Sequence, residues 1–177
     1  MKSFMIALAI AAVASACSSA TAQAQWELEA DPIAFGLSGY SAHVGYRVDW
    51  LRVDIGAFAA DVPEAFHGNQ GWTAHTNGIG AKFDLLSPTR GPFAGLEANY
   101  VRTHYTLTST GESTTRTGVA AGVRIGYRFP IGQSRLYIAP WLGVDYAFGP
   151  LGAGIAGQSF EEHRISLFPT VHIGWRF

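Results

Sequence analysis

Residues 163–177 read HRISLFPTVHIGWRF. Taking every second residue back from the end gives Phe177, Trp175, Ile173, Val171, Pro169, Leu167 and Ile165, all apolar. The interleaved set, Arg176, Gly174, His172, Thr170, Phe168, Ser166 and Arg164, is mostly polar or small. Side chains alternate between the two faces of a strand, so this segment has one apolar and one wet face. It is also much longer than the ~5–6 residues usual for a strand of a soluble protein. An apolar face of this length, closing on Trp175 and Phe177, suits a strand that crosses a bilayer with lipid on one side and a barrel lumen on the other.

Composition agrees with that reading. Apolar residues make up 48% of the 177-residue chain, yet no apolar run reaches the ~18 residues of a spanning helix. The 21 glycines and 13% aromatics suit a curved sheet with interfacial girdles. A formal net charge of −1 gives no electrostatic basis for a nucleic-acid partner.

Residues 1–24 have the form of a secretory signal peptide. Lys2 is the positive end, Phe4 to Val13 the apolar centre, and Ala22-Gln23-Ala24 the small-x-small cleavage site. The expected mature domain is therefore 25–177. Cys17, the single cysteine, lies in the removed part. A rival reading makes Cys17 the acylated first residue of a lipoprotein: Ala14, Ser15 and Ala16 are suitably small, but the usual leucine three residues upstream is missing. Without Cys17 the mature chain can form no disulfide.

The same alternation recurs upstream. Strands are expected at Tyr40–Asp49, Leu51–Ala60, Thr73–Leu85, Phe93–Leu107, Thr117–Phe129 and Arg135–Phe148. Trp26–Leu37 is ambiguous. Glu27, Glu29 and Asp31 share their parity with Ile33, Phe35 and Leu37, so a bulge near Asp31-Pro32 is expected to switch the phase. With the final segment this makes eight strands, each near the ~9–11 residues that a tilted crossing needs. Connections alternate in length: short at Asp49, Ser87 and Pro130, longer after Ala60, Leu107 and Phe148. Short turns belong on the periplasmic side and long loops outside. The first outer connection, Ser38-Gly39, is short, so the wall at the first two strands should be low. The expected fold is an all-β, eight-stranded, antiparallel up-and-down transmembrane barrel.

Inward positions of these strands carry Arg47, Arg52, Lys82, Arg124, Arg128, Arg164 and Arg176 against Asp49, Asp54, Asp84, Glu97 and Asp145. A charge in a narrow interior is costly unless paired and hydrogen-bonded. Mixed signs at similar depth therefore predict an ion-pair network that plugs the lumen. His43 and His172 also face inward, with Glu29 or Asp31 between their strands, a weak candidate for metal binding or proton relay. Asp61, Glu64, His67 and His75 lie in or beside the second outer loop, where solvation accounts for them. Neither group is expected to hold a metal, and no cofactor is expected. Tyr40, Tyr46, Trp50, Trp72, Tyr100, Tyr127, Tyr146, Trp175 and Phe177 sit near strand ends and read as an aromatic girdle.

Taken together, the leader, the alternating strands, the loop asymmetry and the terminal Gly174-Trp175-Arg176-Phe177 resemble the small eight-stranded outer-membrane barrels, the group that includes OmpA's membrane domain, OmpX and OmpW. The resemblance covers 25–177. It implies a bacterial outer-membrane location, contact with outer-membrane lipids and lipopolysaccharide, a monomer, and assembly by machinery that recognises the aromatic end at Trp175 and Phe177. It does not specify function. The first reading is a structural barrel that displays extracellular loops. A second is passage of small apolar molecules through a narrow or laterally open barrel lined by Phe58, Tyr137, Trp141 and Phe168. The third is a lipid-modifying enzyme. Small-barrel lipid A deacylases use His-x-Ser on one strand face, and a hydroxyl nucleophile needs its base within reach. The nearest approaches, His75-Thr76-Asn77 and His163-Arg164-Ile165-Ser166, put the paired side chains on opposite faces, so no enzyme activity is expected.

Overall fold

The structure is a computed structural model that describes residues 24–87 and 91–177. The expected leader, Cys17 included, falls outside the described residues apart from Ala24, as do positions 88–90 of the second short turn. The wall is built from β1 (Gln25–Ala30), β2 (Tyr40–Val48), β3 (Leu51–Val62), β4 (Trp72–Leu86), β5 (Pro92–Leu107), β6 (Ser113–Tyr127), β8 (Leu136–Phe148) and β11 (Ile165–Arg176). A two-residue strand, β7 (Phe129–Pro130), extends the pairing of β8. Each wall strand is antiparallel to the next, and β11 pairs with both β8 and β1, which closes the ring. A hydrogen-bonded row that leaves β11 at Ser166 runs through Asp145, Gly122, Glu97, Lys82, Asp54, Gly45 and Glu27. It returns to β11 at Arg176. That stagger is the shear that closing a ring of tilted strands requires, and eight strands leave an interior that side chains can fill.

Outward positions form an apolar belt. Ile55, Ile79, Leu96, Val123, Ile125 and Leu167 are all exposed. A sheet surface this apolar is stable only against lipid. The end of the belt is sharp. The cross-strand row Ile79, Tyr100, Val119, Phe148 is apolar, and the next outward row up is Asn77, Arg102, Thr117. Above it come His75, His104 and Thr115. Tyr40, Tyr100, Tyr146 and Phe148 mark this upper boundary. Trp26 against Tyr46, Tyr127 against Phe129 and Trp175 stacked on Phe177 mark the lower one. Trp72 is not a girdle residue: it is buried at 4% exposure among the outer loops.

The expected bulge in the first segment is absent. β1 stops at Ala30, and Pro32–Gly36 forms a short helix, α1, capped by Asp31, whose Oδ1 accepts from the Ile33 amide at 2.8 Å. Pro at the first helical position and an acidic N-cap are favourable helix-start chemistry. The phase conflict ends there because a helix does not keep a period of two. Glu27, Glu29 and Asp31 are buried inside, while Ile33 and Phe35 are exposed on α1. The wall is low at β1 and β2 and tall at β4, β5 and β6, which are 15, 16 and 15 residues long. β6 starts at Ser113, ahead of the expected Thr117, because Thr103, Tyr105 and Thr106 pair with its first residues.

The longer outer loops carry their own structure. The second holds α2 (Glu64–His67), and the fourth holds a hairpin of β9 (Ala153–Ile155) and β10 (Gln158–Phe160). The two are clipped together: Asn69 Oδ1 accepts from the Glu161 amide at 2.8 Å, and Asn69 Nδ2 donates to the Glu161 carbonyl at 2.9 Å. Phe160 packs on Trp72, Tyr105 and His67, with ring centroids 5.8, 4.6 and 4.9 Å away. Burial in this contact pushes the His67 imidazole pKa down. The Tyr105 hydroxyl donates to Glu162 Oε1, and Glu162 Oε2 accepts from the Gly152 amide at 3.0 Å. Burial and the Glu162 carboxylate both push the Tyr105 pKa up, so the hydroxyl stays a donor.

Candidate functional site

The lumen is organised on Arg52, a fully buried guanidinium on β3. Its Nε donates to Glu27 Oε2 at 2.8 Å, its Nη2 to Asp54 Oδ2 at 2.7 Å and its Nη1 to Asp84 Oδ2 at 3.2 Å. Glu29 Oε1 is 3.2 Å from Nη2. Four carboxylates from β1, β3 and β4 thus converge on one planar fork, a geometry that lysine cannot offer. Arg128 supplies the second cation, with Nη1 on Glu27 Oε2 at 2.9 Å and Nη2 on Glu29 Oε1 at 3.0 Å. Tyr137 donates to Glu29 Oε1 at 2.6 Å. His172 Nδ1 lies 2.8 Å from Glu29 Oε2, and Arg176 closes the lower rim with Nε 3.5 Å from Glu27 Oε1.

A second part of the layer surrounds Lys82 and Arg124. Lys82 Nζ is 3.8 Å from Asp54 Oδ1, and Arg124 Nε is 3.3 Å from Asp84 Oδ1. The Arg124 guanidinium lies over Trp141 at 4.3 Å and Phe93 at 5.0 Å, a cation–π sandwich that fills the lumen with flat rings. Glu97 and Asp145 flank Gly122 in the register, and the missing side chain at Gly122 leaves room for the Asp145 carboxylate. Small positions make room for large ones throughout. A Cβ at Gly45 would lie 2.6 Å from Arg52 Nε, and one at Gly126 would lie 2.5 Å from the Phe93 ring. Gly45 is thus required by the guanidinium that occupies its place.

Nine of the expected lumen residues belong to this layer: Arg52, Asp54, Lys82, Asp84, Glu97, Arg124, Arg128, Asp145 and Arg176. Three do not. Arg47 donates from Nε to the carbonyl of Asp49 at 2.8 Å at the lower turn, and Asp49 takes a positive φ of 51° there. Arg164 sits at the outer end of β11, 3.4 Å from the carbonyls of Ala147 and Gly149. Their parity is inward, but they lie at the strand ends, beyond the packed layer. Glu29 is legible in the sequence as a possible partner of the two histidines, but the phase conflict in its segment conceals that Glu27 and Glu29 are the layer's central anions.

His43 and His172 lie side by side, with ring centroids 5.1 Å apart, and each has its own carboxylate: Asp54 Oδ1 for His43 at 3.0 Å and Glu29 for His172. Among the described residues no group of histidines and acids has metal-site geometry. His43 Nε2 is also 3.1 Å from Ser41 Oγ. The Ser41-x-His43 spacing puts both on one strand face, a serine-first order that a search for His-x-Ser passes over. The Ser41–His43–Asp54 line has the connectivity of a nucleophile relay. Its members are otherwise engaged, however: Asp54 binds Arg52 and Lys82, Lys82 Nζ approaches His43 Nδ1 at 3.3 Å, and Ser41 is 4% exposed.

The chain matches no protein-family profile and no curated protein. Similarity appears at the level of structure. A major outer membrane protein from Thermus thermophilus superimposes with a TM-score of 0.50 at 15% identity, covering 88% of this chain and 100% of that one. Neisserial surface protein A (NspA) gives 0.49 at 16% identity, with 87% and 94% covered. The N-terminal β-barrel domain of Pseudomonas aeruginosa OprF gives 0.48 at 11%, with 87% and 96% covered. The fold is that of the eight-stranded outer-membrane β-barrels.

Removing Arg52 leaves Glu27, Asp54 and Asp84 without their central cation. Breaking a buried ion pair from one side costs about 3–5 kcal/mol, so Arg52→Met should lower barrel stability by that order. Arg47→Met, outside the layer, should stay within about 1 kcal/mol. Urea titration of the folded, heat-modifiable gel band measures both, and equal midpoints for the two variants would contradict the central role of Arg52.

Proposed function

We propose that the protein is a bacterial outer-membrane barrel with a side-chain-plugged lumen, whose role is structural and interactive: it stabilises the membrane and displays its outer loops. The observation that carries this reading is the buried layer around Arg52, which spans the ring from β1 to β8 and fills it with paired charges and aromatic rings. A transport path would have to break several of these pairs at once. The low wall at β1 and β2 favours a lateral route for small apolar molecules as the second reading, but such a route would still end on the same plug. Outer-membrane lipids and lipopolysaccharide are the partners of the apolar belt. Trp175 and Phe177, stacked at the chain end, are the residues that the assembly machinery would read. The chain acts as a monomer, without cofactor or metal.

Three measurements test this reading. Purified protein in planar bilayers should show no steady conductance; a reproducible open level would remove the plug. Single cysteines at Thr110 and Gln133 test the topology, since the expected mature chain has none of its own. A membrane-impermeant maleimide should label Thr110→Cys on intact cells and Gln133→Cys only after the outer membrane is breached. The opposite pattern inverts the barrel and takes the loops off the surface. A fluorophosphonate probe, which esterifies activated serines, should leave the protein unlabelled. Labelling that disappears in Ser41→Ala would make the Ser41–His43–Asp54 line an active site and overturn the non-enzymatic assignment.

A further inference from the structure

Above the plug the barrel is not filled. A cavity of about 580 Å³ lies between the upper wall and the fourth outer loop. That volume is within the ~300–1,000 Å³ typical of small-molecule sites. Its inner wall consists of lumen-parity residues of the tall strands and of β8, including Val101, Thr103, Ala120 and Ala147, and its roof includes Phe160 and Leu151. The same cavity also touches Val119, Phe148, Ile165 and Leu167, which have outward parity and belong to the lipid-facing belt.

One cavity lined by residues of both faces must cross the rim of the wall. The register shows where. β6 pairs with β8 only as far as Val119 opposite Phe148, and β8 pairs with β11 only as far as Tyr146 opposite Ile165. Above these pairs β6 continues to Ser113 with no ladder to β8. Val119 and Phe148 lie in the last apolar row before the outward face turns polar, so the mouth sits at the outer interface of the bilayer. Arg116 lies on the cavity lining and makes no ion pair among the described residues. Glu162, also on the lining, is engaged by the Tyr105 hydroxyl and the Gly152 amide.

We infer that this cavity is a binding site for one acyl chain of a phospholipid-like amphiphile of the outer leaflet, entered sideways over the rim of β8 and β11, with the phosphate of the headgroup near Arg116. An apolar chain entering from the belt lies against Val101, Val119, Ala120, Ala147, Phe148 and Leu151 and so keeps an apolar surround. The phosphate remains at the interface, beside a cation that lacks a carboxylate. Because the Arg52 layer fills the lumen deeper in the barrel, the site is a dead end: it holds a lipid and does not pass one. The inference rests on the membrane placement of the barrel.

The test uses the whole protein in nanodiscs containing a phosphatidylcholine with a diazirine near the end of one acyl chain. After illumination, adducts are mapped by peptide mass spectrometry. Adducts at Val101, Thr103 or Ala120, whose side chains point inward, are the expected result. Adducts confined to belt residues away from the cavity, such as Leu96 and Ile55, would overturn it. Ala120→Trp should fill the cavity and lower inward labelling several-fold while labelling at Leu96 is unchanged; undiminished inward labelling would also overturn the site. If that variant gives no heat-modifiable band, Ala147→Leu, opposite Ala120 in the register, serves the same comparison. The conductance measurement tests the plug separately, so loss of the lipid site leaves that reading intact.

Discussion

One guanidinium sets the terms for the rest of the lumen. Arg52 cannot lose its charge, and at full burial it must be met by anions on every side that it presents. Glu27, Glu29, Asp54 and Asp84 meet it from three strands. Those anions together outnumber its charge, so Arg128, Lys82, Arg124 and Arg176 are drawn in around them. Lys82 comes from β4, Arg124 and Arg128 from β6 and its end, and Arg176 from β11. The network therefore ties β1 to β6 and β11 through the lumen, independently of the backbone ladders. A one-residue slip of any of these strands would turn its charge out toward lipid, so the layer also fixes register.

Volume imposes the complementary constraint. Eight strands give a narrow interior, and large cations fit only where the neighbouring strand has nothing to offer. Gly45 beneath Arg52, Gly122 between Glu97 and Asp145, and Gly126 beneath Phe93 are all inward positions on long strands. A glycine within a strand ordinarily weakens it. Here that cost is offset by the ion pairs and ring contacts that the space admits.

How far the sequence discloses this depends on whether one periodicity governs a segment. In β6 and β11 an apolar outward set alternates with an inward set that is mostly polar or small, and their faces are legible directly. In the first segment two regular structures meet at Asp31-Pro32, and a strand rule applied across both misplaces a bulge where a helix begins. The cost of that local error is large, because Glu27 and Glu29 lie on its near side and form the centre of the anion set. Arg47, Asp49 and Arg164 expose a different limit. Parity tells which way a side chain points but not how high it sits, and height decides whether it reaches the packed layer. The hairpin in the fourth loop lies beyond both rules, since its place depends on contacts to Trp72 and Tyr105, distant in sequence.

The uneven wall connects the Arg52 layer to the outer surface. β4, β5 and β6 rise well above the lipid boundary, and there Trp72 and Ala74 of β4 with Tyr105 and Leu107 of β5 form an apolar inward surface. That surface would be solvated if the loops stood upright. It is covered because the fourth loop folds inward, bringing Phe160 against Trp72 and Tyr105, with the Asn69–Glu161 clip holding it to the second loop. A loop drawn toward β4 and β5 cannot also extend the ladder of β8 to match the height of β6. The opening at the β8–β11 rim thus follows from the same apolar contact that seals the opposite side. The position of the cavity mouth is a geometric consequence of how the tall strands bury their upper face.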